Sequence, residues 1–263
     1  MKIIVSPEDL KSTYHFSKFC AQKAVERASI WLPLHPSATL SAIAADIMTD
    51  GYIDSRQIGK SRYFGYIGYF SKSEQELIEF NRRMRQLFGV RGKIREWGVR
   101  EYGTSKGCII TNAVLARILN LCGIPAGNKT QTAYQIPSWI LDGSQEIKTA
   151  FLRRAFSCEG SISCRKNQRG WRVRYSMCKV AALAENLDEF LRSMICMLNE
   201  FGIVPSGPFK NESYIRKKDN AAMLGKGIAI SKPKSIALFK KKIGFDIPYK
   251  QEKLEQAVAE FGG

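Results

Sequence analysis

The chain's 263 residues are enough for one large domain or two modest ones, each able to bury a core. Hydrophobic residues at 44% and charged residues at 25% exclude a wholly disordered, collagen-like or low-complexity chain. Lys and Arg number 41 against 24 Asp and Glu, and the resulting charge of +17 asks for a polyanionic partner, nucleic acid first and an anionic membrane surface second.

The opening residues, Met1 to Asp9, hold too short an apolar stretch for a secretory signal and turn acidic at Glu8. No run of about 18 apolar residues follows, so a transmembrane span is not expected either. The expectation is a soluble intracellular protein, in cytoplasm or organelle matrix and not secreted. Ser6 as N-cap, Pro7 at the first helical position and Asp9 three residues after the cap predict a helix from Ser6 to about Ile30. Leu10, Tyr14, Phe19 and Ala24 fall near helical spacing along it. Pro33 and Pro36 end it, because proline cannot continue a helix and restrains the residue before it. Residues 1–36 are therefore expected to form an N-terminal helical appendage.

After Pro36 one order of elements is predicted twice, in copies of about 110 residues. The first pass is a helix from Thr39 to Asp50 closed by Gly51, a hairpin from Tyr52 to about Ser71, a helix from Ser73 to Phe88, strands around Gly92–Tyr102 and Gly107–Thr111, and a helix from Asn112 to Cys122 closed by Gly123. The second is a helix from Glu146 to Glu159 closed by Gly160, a hairpin from Ser161 to about Ala182, a helix from Asn186 to Phe201, strands near Ser213–Lys217 and Gly227–Ser231, and a helix from Pro233 to Ile243. Lys106-Gly107-Cys108-Ile109-Ile110-Thr111 stands where Lys226-Gly227-Ile228-Ala229-Ile230-Ser231 stands in the second copy. The expected subdomains are 37–142 and 143–263, joined through Ile136 to Ser144, whose Pro137, Gly143 and Ser144 suit a short linker.

Several chemistries are excluded by what is missing. The seven cysteines are odd in number and scattered with no Cys-x-x-Cys pair, which argues against a disulfide scaffold or a zinc ribbon and for reduced packing residues. His15 and His35 are the only histidines and neither has metal or triad spacing. Gly59-Lys60-Ser61 lacks the upstream glycine of a P-loop, Asp54 standing in its place, and in Gly123 to Thr130 Asn128 separates glycine from lysine.

Each copy opens with a helix whose last residue before a glycine is acidic: Asp50-Gly51 and Glu159-Gly160. The helix dipole disfavours a carboxylate at that end, which suggests a purpose. If two such helices pack side by side, their carboxylates become neighbours, an arrangement tolerated when a divalent cation or a shared proton lies between them. Mg²⁺ suits such oxygen donors and completes its shell with water and substrate phosphate. Ala42, Ala45 and Thr49 on the first helix form a stripe of small residues, and Phe151, Ala155 and Cys158 the corresponding stripe on the second. Taken singly, each helix also reads as an ordinary amphipathic helix with a glycine C-cap.

Ile43-Ala44-Ala45-Asp46-Ile47-Met48-Thr49-Asp50-Gly51 and Leu152-Arg153-Arg154-Ala155-Phe156-Ser157-Cys158-Glu159-Gly160 resemble the two motifs of monomeric LAGLIDADG homing endonucleases, over about residues 37–258. The resemblance implies a mixed α/β (α+β) fold of tandem pseudo-twofold αββαββα repeats, with the motif helices at the subdomain interface and the antiparallel sheets forming a DNA-binding saddle. It implies a metal-dependent, intron-encoded DNA endonuclease that acts as a monomer and hydrolyses one phosphodiester in each strand of a long, partly asymmetric duplex target. Asp50 and Glu159 become metal-binding and catalytic carboxylates, joined by the carbonyls of Thr49 and Cys158, with Mg²⁺, Mn²⁺ or Ca²⁺ as the cation. Lys106 and Lys226 become the basic residues near the scissile phosphates. The sequence departs from the family at Glu159, where Asp is usual, and at Asp46 and Arg154, where apolar or small residues are.

The expected DNA-reading surface includes Arg165, Lys166 and Arg169 near the second hairpin turn, with Arg172 and Arg174 on one strand face and Val173 and Tyr175 on the other. Arg62 in the first hairpin, Arg91, Lys93 and Arg95, and Arg216 and Lys217 in the other copy, are further expected DNA contacts. The aromatic hairpin Tyr63-Phe64-Gly65-Tyr66-Ile67-Gly68-Tyr69-Phe70 carries no face assignment. Two alternatives remain open: a cleavage-deficient binder of the same fold, either an intron RNA maturase or a DNA-binding regulator, and a basic membrane-surface protein, which lacks an amphipathic anchor. A self-splicing element is not expected, since neither a Cys or Ser start nor a His-Asn end is present.

Overall fold

Two stretches of the chain alternate helices with strand pairs, and each closes its own sheet. The computed structural model describes residues 2–15, 17–58, 62–100, 103–165 and 170–261, without the side chains of 57, 58, 62, 97–100, 103, 104 and 165. Residues 1–128 form one unit with 137–143, and residues 129–136 form the other with 144–263.

In the first unit, α1 (Pro7–Ser12) and α2 (Lys18–Ala28) precede α3 (Ala38–Met48), β1 (Gly51–Ile58), β2 (Arg62–Ser71), α4 (Glu74–Phe88), β3 (Lys93–Arg100), β4 (Gly103–Thr111), α5 (Ala113–Leu121) and the short α6 (Ser138–Leu141). In the second, α7 (Gln145–Glu159), β5 (Gly160–Arg165), β6 (Gly170–Val180), α8 (Ala184–Glu200), β7 (Ser206–Arg216), β8 (Ala221–Ile230) and α9 (Pro233–Lys242) repeat that order, and α10 (Pro248–Phe261) is added. The two antiparallel sheets have equivalent strand orders, β1-β2-β4-β3 and β5-β6-β8-β7. No helix among the described residues is long and apolar enough to cross a membrane.

The cores follow the side-chain periodicities. Leu77, Phe80, Met84 and Phe88 are the buried stripe of α4, and Leu187, Phe190, Leu191, Met194 and Leu198 that of α8. On β6, Trp171, Val173 and Tyr175 are buried while Arg172, Arg174 and Ser176 alternate with them. Tyr69 of β2 and Tyr175 of β6 are fully buried at equivalent positions, Tyr69 stacked on Phe80 with ring centroids 5.0 Å apart and Tyr175 5.3 Å from Phe156 of α7. The cysteines are free thiols, and burial pushes Cys108 and Cys122 up to about 11 and about 12.

Three expectations change. The single helix from Ser6 to Ile30 is two, because Thr13 turns its hydroxyl back onto the Leu10 carbonyl (2.8 Å) and Ser17 caps a new helix at the Cys20 amide (3.2 Å). Tyr14 sits between them against Tyr63, and Arg117 of α5 lies over both rings and donates to the Thr13 carbonyl. The segment read as an appendage is thereby packed onto α5 and β2. Strand β7 begins seven residues before the expected Ser213, since register shifts at Ser206/Phe209 and Lys210/Glu212 break its alternation. Helix α10 was not anticipated, although Pro248 at its start is a first-turn signal.

Residues 129–136, running up to the expected linker and inside the stretch expected as the first subdomain, are strapped to the second unit. The Val180 amide donates to the Thr130 carbonyl (2.9 Å), the Tyr134 amide to Asn186 Oδ1 (3.2 Å), and the buried Lys179 ammonium to the Thr132 carbonyl (2.9 Å) while lying 3.7 Å from the Tyr134 ring centroid.

Candidate nucleic-acid interface and its acidic junctions

Both acidic residues stand at a helix-to-strand junction, Asp50 between α3 and β1 and Glu159 as the last residue of α7 before β5, and both are exposed. Only the Thr49–Asp50 turn separates helix from strand in the first unit and nothing does in the second, so the chain folds straight back over the helix's last turn. A Cβ on Gly51 would come 2.5 Å from Ile47 Cα and 2.9 Å from the Gly68 carbonyl, and one on Gly160 would come 2.3 Å from the Phe156 carbonyl. This close approach, not a left-handed C-cap, is why glycine follows each acid: Gly160 has φ −86°, and Gly51 is not among the residues of positive φ. Gly160 is thus the C-cap of α7 in extended backbone, whereas α3 is capped by Thr49 and not by Gly51.

The helix ends that present the acids are held by different devices. Thr49 turns its hydroxyl onto the carbonyls of Ala45 (2.8 Å) and Asp46 (3.2 Å). Buried Asp46 accepts two hydrogen bonds from Arg83 of α4, at 2.7 and 3.1 Å to one carboxylate oxygen. In the second unit, buried Lys250 of α10 donates to the carbonyls of Ser157 (2.5 Å) and Gly160 (2.7 Å) and lies 3.4 Å from that of Cys158. Arg154 pairs with Asp246 at 3.1 Å, whose amide in turn donates to the Ser157 hydroxyl. A cation on the last carbonyls of α7 offsets the cost of ending that helix on Glu159. Sequence reading missed Lys250, because it meets Ser157 across 93 positions with no local pattern to mark it. Burial raises the Tyr134 hydroxyl, with Glu159 adding to it, and burial pushes Cys178 up to about 11, helped by its hydrogen bond with Glu212 and by the charges of Glu212 and Glu159.

Each sheet has one face on the helices and an outer face. Pairing registers assign the aromatic hairpin: Tyr69, Ile67 and Gly65 face the helices, the last against Ala113 and Ala116 of α5, whereas Tyr66, Phe64 and Phe70 face outward with Tyr52, Asp54 and Arg56 of β1. Lys93 and Arg95 pair with Ile109 and Gly107 on that outer face and are exposed. Arg91 is exposed in the loop before β3. In the second sheet the outer face carries Ser161, Ser163, Arg172, Arg174 and Ser176, together with Phe209 and Asn211. Arg174 donates to Asn211 Oδ1 (2.7 Å), and Asn211 donates to the Ser176 hydroxyl (2.9 Å). Arg216 is committed to Asp219 (2.6 Å) and to the Thr130 hydroxyl (2.8 Å), and Lys217 is exposed in the following turn. Lys166 and Arg169 lie outside the described residues, as do Gly59-Lys60-Ser61 and the side chains of Arg62 and Arg165.

Lys106 and Lys226 take the other face. Lys106 pairs in register with Ser71, two residues from buried Tyr69, and its ammonium is 2.5 Å from Glu74 at the start of α4. Lys226 pairs with Met177, two residues from Tyr175, and is 2.6 Å from Asp188 of α8. Both are therefore helix-facing and ion-paired, at matched positions in the two units. Spacing along the chain does not fix strand parity, and a one-residue slip moves a side chain across the sheet.

No family model matches the sequence. Among curated proteins it is similar to the tRNA-splicing ligase RtcB of Pyrococcus abyssi, 38% identical over 94 residues (36% of this chain, 10% of the relative). The RtcB ligase of Methanopyrus kandleri is 27% identical over 235 residues (85% and 22%). The replication factor C small subunit of Methanocaldococcus jannaschii is 27% identical over 187 residues (61% and 9%). The chain thus spans between about a tenth and a fifth of the length of these relatives. Among solved structures, I-DmoI in complex with DNA and Ca is 16% identical, with a TM-score of 0.52 over 84% of this chain and 100% of that one. I-DmoI is a homing endonuclease, and its fold is the LAGLIDADG one. The chain has the LAGLIDADG endonuclease fold.

α3 and α7 carry the two sequence stretches expected as motifs, and Asp50 and Glu159 are the exposed acids at their ends. Each unit offers one carboxylate beside a backbone carbonyl, of Thr49 or Cys158, a set of hard oxygen donors that fits Mg²⁺, Mn²⁺ or Ca²⁺. Among the described residues no group of three or more His, Cys, Asp or Glu gathers as a metal site.

Proposed function

We propose that the protein is a site-specific double-strand DNA endonuclease of the homing type, intron-encoded and acting as a monomer with Mg²⁺ or a related divalent cation. The observation that carries this is the repetition of one exposed carboxylate, Asp50 or Glu159, at the same helix-to-strand junction in both units, each followed by a glycine whose place no side chain can take. Asp50 and Glu159 hold the cations, with the carbonyls of Thr49 and Cys158 beside them. A bound divalent cation supplies activation of water and neutralisation of the charge developing on phosphate. The two outer sheet faces bind the duplex through Lys93, Arg95, Arg172 and Arg174, and Arg91 and Lys217 add phosphate contacts.

The curated relatives support a module and not their own activities. A ligase and a replication factor differ in what they are named for, yet each matches this chain over a small fraction of its length. What they share with it is a segment, so neither ligation nor a replication role is proposed here. A second reading, a binder of DNA or intron RNA that does not cut, is favoured by one observation: Lys106 and Lys226, the expected phosphate-side lysines, are paired with Glu74 and Asp188.

One experiment separates the two. The full chain is incubated with a randomised duplex library and Mg²⁺, beside Asp50→Asn and Glu159→Gln. The endonuclease reading expects a selected sequence to be cut by the wild type and far more slowly by either variant. Salt-sensitive binding with no cutting by the wild type establishes the binder, and equal cutting by both variants removes these carboxylates from the reaction.

A further inference from the structure

The two outer faces are built at equivalent positions from opposite chemistries. In the register that matches Tyr69 with Tyr175 and Gly51 with Gly160, Phe70 corresponds to Ser176, Tyr66 to Arg172 and Tyr52 to Ser161. Gly107 and Gly227 are the cross-strand partners of Phe70 and Ser176, and they leave the same space above each sheet. In the first sheet that space is filled by hydrocarbon: a Cβ on Gly107 would lie 2.9 Å from the Phe70 ring, and one on Gly68 3.0 Å from it. Tyr52, Tyr66 and Phe64 continue the surface, with centroids 5.7 and 5.9 Å apart. In the second sheet a polar chain fills the space: a Cβ on Gly227 would lie 2.8 Å from Asn211 Nδ2 and 2.9 Å from Ser176 Oγ, and Asn211 in turn orients Arg174. The buried Nε groups of Arg172 and Arg174 have no hydrogen-bond partner.

From this contrast, and resting on the DNA-binding reading above, we infer that the two sheets read their halves of the target by different codes. The second sheet reads guanine through Arg172 and Arg174. A guanidinium matches the O6 and N7 acceptors that guanine shows in the major groove, and a side chain already oriented by Asn211 loses little freedom in doing so. The first sheet reads the thymine 5-methyl group through the ring faces of Tyr66 and Phe70, because a ring face discriminates by apolar contact, while the Tyr66 hydroxyl and the Asp54–Arg56 pair of β1 supply the polar groups of that sheet. On that half, the charges at Lys93 and Arg95 on the outlying strand β3 bind phosphate.

The test uses the full chain and a duplex selected from a randomised library, with affinities measured in Ca²⁺. The end lying on the second sheet is assigned by a cleavage reagent tethered to exposed Cys164 of β5. Replacing thymine with deoxyuridine, which removes only the methyl group, is expected to weaken binding about threefold or more per contacted base at the first-sheet end, with no change at the other. Replacing guanine with 7-deazaguanine, which removes the N7 acceptor, is expected to weaken binding about tenfold at the second-sheet end alone. Arg172→Ala relaxes the base preference at that end, and Tyr66→Ala relaxes thymine over cytosine at the other. Equal effects of both base analogues at both ends, with selective binding intact, overturn this inference alone. A chain that selects no duplex overturns it together with the DNA-binding reading.

Discussion

The ammonium of Lys250, buried in α10, donates at 2.7 Å to the carbonyl of Gly160, the residue directly after Glu159. With a second bond to Ser157, it satisfies carbonyls that the end of α7 leaves without helical partners. Replacing Lys250 with Met keeps the length of the side chain and removes the donor. Leaving buried acceptors unsatisfied is expected to cost about 2 kcal/mol in urea denaturation. A loss below about 0.5 kcal/mol would show that water replaces the ammonium there without penalty.

Asp46 and Arg83 set a comparable test in the first unit, where both are buried. Arg83→Leu takes two hydrogen bonds from a carboxylate on the motif helix and is expected to cost about 3 kcal/mol. Asp46→Leu combined with Arg83→Leu should be less destabilising than Arg83→Leu alone, since the buried charge goes with its partner. A double variant with the summed cost of the two single ones would mean that the pair does not act as a unit.

Gly160→Ala forces a Cβ to within 2.3 Å of the Phe156 carbonyl, so α7 and β5 must move apart. The expected loss is about 3 kcal/mol, with Glu159 displaced. Gly89→Ala is the control. Its φ of 67° is strained for alanine but nothing lies within 4 Å of the new Cβ, so about 1 kcal/mol is expected. If the two variants lose equal stability, close packing is not what requires Gly160.

Burial lowers the Lys179 ammonium to about 8 from an ordinary value of 10.5, against the favourable carbonyl, amide and ring contacts around it. Between those two values the unfolded chain holds a proton that the folded chain has released, so this group makes stability rise with pH through that window. Below about 8 the lysine is protonated in both states and contributes no slope. Denaturation curves from pH 7 to 10.5 should therefore lose part of their upward trend in Lys179→Met. Superimposable pH trends for the two proteins would contradict the depressed value.

Lys93 and Arg95 are exposed on the outer face of β3. Under the proposed function, neutralising either as Gln should lower the slope of log affinity against log salt by about one and weaken binding to all duplexes alike. An unchanged slope would place that side chain away from phosphate.

What was legible in the sequence is the local part. The repeated helix–hairpin–helix–hairpin–helix order, the acid-glycine junctions at Asp50 and Glu159, and the alternation that sets Arg172 and Arg174 apart from Val173 and Tyr175 all follow from periods of 3.6 and 2 and from glycine and proline. Those signals are carried by neighbouring residues, so one chain is enough to read them. The break at Thr13 to Ser17 was within reach too, since Ser17 is a local N-cap signal that the apolar spacing of Tyr14 and Phe19 masked.

Tertiary structure decided which face and which partner each residue takes. The parity of Lys106 depends on the register that sets it beside Ser71 and Tyr69, and its charge is answered by Glu74, 32 positions away. Lys250 reaches α7 across 93 positions, and Asp46 meets Arg83 across 37. Phe70 covers Gly107, and Asn211 covers Gly227, only because antiparallel pairing brings distant strands to within a side chain of each other. The sequence by itself determined the elements, their order and the residue types at the junctions, because these depend on short-range sterics and hydrophobic period. The fold alone decided how burial, charge pairing and close approach are shared among them, because those energies depend on distances in space that no spacing along the chain encodes.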